Sequence, residues 1–134
     1  MPDPRLRVLY VEDDALNRVL LRAALARADN ERLSAAEIVE ATTLAEARKA
    51  LTVGVYDLLL LDRRLPDGDG FTLAAELGAG NQGRPLVVAL TADAVPATRA
   101  AAFDAGCDAI LTKPYAPADL VALLSRHLEN RQTA

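Results

Sequence analysis

Three scarcities bound what this chain can be: one cysteine, two lysines among 15 basic residues, and no long apolar run. A lone Cys107 cannot close an internal disulfide, which fits a reducing compartment. A membrane-spanning helix needs about 20 consecutive apolar residues, and no run here approaches that length. Residues 1–7 are polar and carry both signs, unlike a secretory signal. Seven glycines and seven prolines exclude a collagen-like chain, and a hydrophobic content of 51% excludes disorder. With 19 acids against 15 bases the net charge is −4, whereas nucleic-acid binding wants a basic face. At 134 residues the chain can bury one core but not two. These bounds predict a single cytoplasmic domain over residues 1–134, with neither nucleic acid nor membrane as partner. Because 13 of the bases are arginine, the two lysines, Lys49 and Lys113, each ask for a reason.

Within those bounds the apolar period switches repeatedly. Residues 6–11 are a short branched run ending in three acids, and they read as a buried strand. From Asp14 the spacing turns helical: Leu20, Leu21, Ala24 and Leu25 recur on one side, with Arg18, Arg22 and Arg27 elsewhere. A polar stretch over 29–34 precedes a weaker strand at 36–40. Thr43 and Glu46 form a capping box that opens a helix to about Leu51. Residues 57–62 and 86–90 are strongly apolar strands. Between them lie a loop punctuated by Pro66, Gly68 and Gly70 and a helix over 71–77. Pro96 suits the first turn of a helix that stops at Gly106, residues 109–112 are a last strand, and Pro117 opens a helix through Leu128. Five strands alternating with five helices predict an α/β domain with a parallel sheet, right-handed crossovers and helices on both faces. Continuous rather than alternating apolar runs agree with strands buried on both sides.

In such a sheet, ligands gather beyond the carboxyl ends of the strands. Glu12, Asp13 and Asp14 follow the first strand, Asp62 ends the third, Thr91 follows the fourth, and Thr112 and Lys113 close the fifth. Topology thus brings carboxylates, a hydroxyl and an ammonium to one edge. Crowded carboxylates raise one another's pKa unless a cation joins them. Mg²⁺ suits all-oxygen ligands and keeps waters that leave room for a phosphoryl group. Asp62 is then placed to act as a nucleophile and become an aspartyl phosphate. Lys113 would meet a phosphoryl oxygen as a compact point charge, which gives a reason for lysine in an arginine-preferring chain. Each residue alone has a plainer reading: Asp62 as a loop cap, the acidic run as a helix start with Asp14 its cap, Thr91 as a strand-end hydroxyl, Lys113 as a solvated cation.

Together, Val11-Glu12-Asp13-Asp14, Leu61-Asp62-Arg63-Arg64-Leu65-Pro66 with Asp69-Gly70, Ala89-Leu90-Thr91-Ala92 and Thr112-Lys113-Pro114 resemble the receiver domains of two-component response regulators, the CheY-like family. The resemblance covers about residues 5–129. It implies a flavodoxin-like five-stranded parallel sheet of order 2-1-3-4-5 flanked by five helices. Glu12 and Asp13 match the acidic pair that holds Mg²⁺, with Asp13 the more direct ligand. Asp62 matches the phosphoacceptor, and Arg64 would offer its backbone carbonyl to the metal. Thr91 matches the hydroxyl that turns towards the phosphoryl group, Lys113 the paired lysine, and the Lys113–Pro114 peptide is expected cis. The implied donor is a histidine kinase or histidine phosphotransfer protein, and the output a conformational change read by an unknown protein. The only catalysis expected is of the chain's own phosphorylation and dephosphorylation. One departure stands out: Ile110 occupies the place, three residues before the lysine, where the family often has an aromatic that swings inward.

Other features are weighed against this reading. The glycine pattern over 78–83 follows a helix and precedes a strand, the reverse of what dinucleotide binding needs, and reads as a loop. Asp67-Gly68-Asp69-Gly70 lacks the glutamate of a calcium loop, since the twelfth position from Asp67 is Gly78. Cys107 reads as a packed residue, His127 as a histidine without a partner, and Tyr115 as either an interface residue or a partly buried ring. A stripe of Ala15, Val19 and Arg22 on the first helix is expected to meet the phosphodonor. Arg64 and Asp93 are expected to pair across the mouth of the site. A hydrolase using Asp62 would want an acid where Arg64 stands. A pseudo-receiver, binding partners without phosphorylation, would have lost acids or the lysine. A receiver cut from a hybrid histidine kinase shares this sequence style, although the chain's limits predict a stand-alone receiver without an output domain.

Overall fold

In a computed structural model, residues 5–78 and 83–133 are described, with side chains as far as residue 130. The glycine-rich stretch read as a loop falls largely outside them, at 79–82. The two strongest apolar runs become the central strands, β3 (Leu58–Asp62) and β6 (Leu86–Thr91), and both are buried along nearly their whole length. β1 (Arg7–Val11) and β2 (Glu37–Ala41) lie beyond β3, and β7 (Ala109–Thr112) lies beyond β6. The sheet order is β2-β1-β3-β6-β7 with every pairing parallel, which is the 2-1-3-4-5 order of its five strands.

Alternate residues of each strand enter opposite layers. Leu9, Val11, Leu59, Leu61, Val87 and Ala89 face one layer, built with α3 (Leu44–Val53), α4 (Gly70–Leu77) and α5 (Pro96–Asp104). Val8, Tyr10, Leu58, Leu60, Val88 and Leu90 face the other, built with α1 (Ala15–Ala26) and α6 (Pro117–Thr133). Both faces are apolar, so the strands show no polar alternation. No helix among the described residues is long and apolar enough to cross a membrane.

Four details differ from the sequence expectation. Six helices, not five, stand among the described residues, because the polar stretch contains α2 (Glu31–Ser34). The Asn30 side chain caps it by accepting the Arg32 N–H at 2.9 Å, and Leu33 anchors it in the core. The punctuated loop holds a two-residue hairpin, β4 (Arg64–Leu65) against β5 (Gly68–Asp69). The last helix runs past Leu128 to Thr133. Leu20, placed on the core side by spacing, is 57% exposed. Leu21, Ala24 and Leu25 already fill the contact stripe, leaving Leu20 on a groove of about 1000 Å³ between α1 and α6.

Capping follows the sequence closely. Asp14 accepts the N–H groups of Leu16 and Asn17 at 2.8 and 3.1 Å and starts α1. Thr43 accepts the Glu46 N–H at 3.1 Å, while the Glu46 carboxylate reaches back to the Thr42 N–H at 2.6 Å.

Candidate functional site

Register places the site. Val11 pairs with Leu61, Asp62 with Leu90, and Thr91 with Thr112, so β1, β3, β6 and β7 all end at one level. The residues just past those ends therefore meet. Glu12, Asp13 and Asp62 each bring a carboxylate oxygen within 4.8 Å of the other two. Lys113 Nζ donates to Glu12 Oε1 at 2.7 Å and stands 3.5 Å from Asp62 Oδ2. Thr91 is buried beside them. Its carbonyl accepts the Lys113 N–H at 2.7 Å, and its hydroxyl accepts the Asp93 N–H at 3.2 Å. The Lys113–Pro114 peptide is cis.

Glu12 is only 1% exposed and is held on several sides. Besides Lys113, its Oε1 accepts Asn17 Nδ2 at 3.1 Å, and the Tyr10 hydroxyl lies 3.5 Å away. Its Oε2 accepts the Asp14 N–H at 3.3 Å, and its backbone carbonyl accepts from Arg18 at 2.9 Å. Tyr10, Asn17 and Arg18 had no signal in the sequence. Tyr10 reads there as one more apolar strand residue, and the other two as the polar face of a helix.

The charges are unequal. Burial pushes the Asp62 carboxyl up to about 6, against the pull of Lys113 and helped by the neighbouring Glu12 charge. Burial would also raise Glu12, but its hydrogen bond and ion pair with Lys113 prevail and leave it below its usual value. Burial would lower Lys113, yet the Glu12 hydrogen bond and both carboxylate charges hold it above its usual value. Lys113 is thus a firm ammonium shared by two acids. Tyr10 is raised by burial, then by Tyr115 and Glu12.

Arg64 sits exposed in β4, opposite Asp69 in the hairpin. Its expected pairing with Asp93 is not formed. The Asp93 carboxylate turns back to its own loop and helix, accepting the Val95 N–H at 3.0 Å and the Thr98 hydroxyl at 3.2 Å. Arg63, which the sequence did not single out, approaches this group instead, with Nη1 3.5 Å from Thr98 Oγ1. Arg22 is likewise engaged, donating to Glu40 and to the Ile38 carbonyl rather than flanking a free stripe. Asp67 spends both carboxylate oxygens on the first turn of α3, accepting the Leu44 and Ala45 N–H groups at 2.8 and 3.0 Å. Ile110 is buried in the α3–α4–α5 layer, and Tyr115 is a partly buried ring against the other.

Comparison with known proteins agrees with this architecture. The response regulator receiver domain family matches residues 8–125. The aerobic respiration control sensor protein ArcB of Escherichia coli is 34% identical over 128 residues, covering 94% of this chain but 16% of that protein. The two-component response regulator ORR41 of rice is 32% identical over 121 residues, covering 90% of this chain and 93% of its own. Among solved structures, the receiver domain of the sensor histidine kinase PA1611 from Pseudomonas aeruginosa superposes with a TM-score of 0.75 at 30% identity. That match covers 91% of this chain and 96% of that one, and a magnesium ion is coordinated in that protein's active site cleft. Sheet order, acidic edge and shared lysine converge on one conclusion: the chain belongs to the response regulator receiver domain family.

Proposed function

We propose that Asp62 accepts a phosphoryl group from the phosphohistidine of a histidine kinase or histidine phosphotransfer protein, in a two-component or phosphorelay system. The observation that carries this reading is the Lys113 ammonium, shared between Glu12 and Asp62 at 2.7 and 3.5 Å. Three carboxylates against one ammonium leave two negative charges, which a divalent cation balances. Glu12, Asp13, Asp62 and the backbone carbonyl of Arg64 would hold Mg²⁺, whose charge would offset that of the phosphoryl oxygens. An Asp62 oxygen attacks phosphorus, the phosphorus–nitrogen bond breaks, and the imidazole leaves with the electron pair and takes up a proton. Lys113 neutralises a phosphoryl oxygen, and Thr91 turns its hydroxyl towards another.

The chain in this reading catalyses only its own phosphorylation and dephosphorylation, works in the cytoplasm, and signals to a protein partner. The donor meets α1, where Leu16, Val19 and Leu20 are all more than half exposed. The likeness to ArcB and PA1611, both sensor proteins, supports a second setting for the same chemistry, as the receiver of a hybrid kinase. A phosphorylation-independent pseudo-receiver is disfavoured because Glu12, Asp13, Asp62, Thr91 and Lys113 are all present.

Acetyl phosphate labelling followed by mass spectrometry tests the proposal. One phosphoryl group is expected on the native chain with Mg²⁺, and none on Asp62→Asn. Undiminished labelling of that variant ends the reading.

A further inference from the structure

With Ile110 in place of an aromatic, this receiver has no ring at that position to carry movement outward from Thr91. A different route is laid out in polar contacts. The Asp93 N–H donates to Thr91 Oγ1 at 3.2 Å, and the Asp93 carboxylate accepts the Thr98 hydroxyl at 3.2 Å. Thr98, in the first turn of α5, is buried, and Arg63 Nη1 stands 3.5 Å from its oxygen. The Arg63 guanidinium lies over the Phe71 ring, 4.6 Å from its centroid, with Nε 3.3 Å from Asp69 Oδ2. The other oxygen of Asp69 caps α4 by accepting the Phe71 N–H at 2.9 Å.

We propose that Arg63 is a positioning residue that couples the first turn of α5 to the N-cap of α4. Movement of the Thr91 loop is then relayed through Asp93, Thr98 and Arg63 to Asp69. Three physical features support this. A hydroxyl that donates to a carboxylate and accepts from a guanidinium has little rotational freedom, so Thr98 transmits displacement rather than absorbing it. A guanidinium offers separate nitrogens in a rigid plane, so Arg63 engages Thr98, Asp69 and the Phe71 face together, which a lysine cannot do. Arg63 is also fixed at its root, since its carbonyl accepts the Gly70 N–H at 2.6 Å. Its backbone follows Asp62 directly, so the strut starts at the proposed phosphorylation site and ends on two helices. The relay rests on Thr91 being the hydroxyl that moves, whereas the strut itself does not.

Amide chemical shifts of the whole chain separate these two statements. Thr98→Val keeps the side-chain shape and removes the hydroxyl. It is expected to shift the amides of Phe71 and Thr72 in the native background and to leave them unmoved in an Arg63→Met background, a coupling that only the intervening side chain explains. Arg63→Lys, which keeps the charge and the stem, is expected to lose the effect too and serves if Arg63→Met fails to fold. An undiminished shift in both Arg63 backgrounds, or none in the native one, overturns the strut. Beryllofluoride then tests the relay. The amides of Thr91 and Phe71 are both expected to respond in the native chain, and only that of Thr91 in Arg63→Met. A Phe71 response that survives Arg63→Met overturns the relay. No response anywhere in the native chain refutes phosphorylation at Asp62 instead, while the Thr98→Val result still decides the strut.

Discussion

Gly70 packs so closely against Asp62 that a Cβ on the glycine would collide with the aspartate's carbonyl oxygen and lie 3.1 Å from Leu61 Cγ. Backbone atoms cannot yield as a flexible side-chain end can. Gly70→Ala must therefore push the start of α4 away from the end of β3. The expected cost is about 1–3 kcal/mol, the range for overpacked sites. Urea unfolding checks this, and acetyl phosphate labelling should slow in parallel because the Asp62 carboxylate is displaced. Unchanged stability would mean that the hairpin can shift freely.

Mg²⁺ should stabilise the native chain, since it relieves the crowding of Glu12, Asp13 and Asp62. At 100 times its dissociation constant the gain is about 2.7 kcal/mol. Removing one of the crowded charges should mimic part of that gain. With a chelator present, Asp62→Asn is expected to unfold at higher urea than the native chain at pH 7.5. It should also lose most of its response to Mg²⁺. A native unfolding midpoint indifferent to Mg²⁺ would contradict both the metal set and the reason given for it.

Donor docking on α1 predicts a split between two phosphorylation assays. Val19 is 62% exposed, so Val19→Glu should slow transfer from a cognate phosphohistidine protein. Labelling by acetyl phosphate, which needs no docking surface, should be unchanged. If transfer is equally fast in both chains, α1 is not the contact.

Cys107 is buried, and burial pushes its thiol up to about 11 from an ordinary value of 9.0. The folded state thus favours the neutral thiol. Its contribution to stability is complete below pH 9 and is lost as pH rises towards 11. Iodoacetamide at pH 8 should react slowly with the native chain and quickly in urea. Similar rates in the two conditions would show that the site opens readily.

Sequence patterning made the sheet legible because the central strands are apolar on both faces and bounded by acids, hydroxyls and Lys113. It placed the acidic edge for the same reason, as a strand end is a position along the chain. It could not resolve Leu20 from Leu21, since neighbouring leucines satisfy the helical period equally well. The α2 turn escaped because only Leu33 in it is apolar. Arg63 escaped for a different reason: Thr98 lies 35 positions away, and only the tertiary fold brings the two side chains together. Tyr10 carries its information in one oxygen, which an apolar run conceals.

The sheet separates two layers, with α1 and α6 on one side and α3, α4 and α5 on the other. The proposed donor surface belongs to the first layer, and the Thr91–Arg63 relay to the second. Substitutions within the apolar packing of one layer lie across the sheet from the other and should combine additively. A lineage could then exchange its upstream kinase while keeping its downstream target, or the reverse, by altering a single side of the sheet. The same partition would let a library of α1 variants be selected for a new donor without retuning the output.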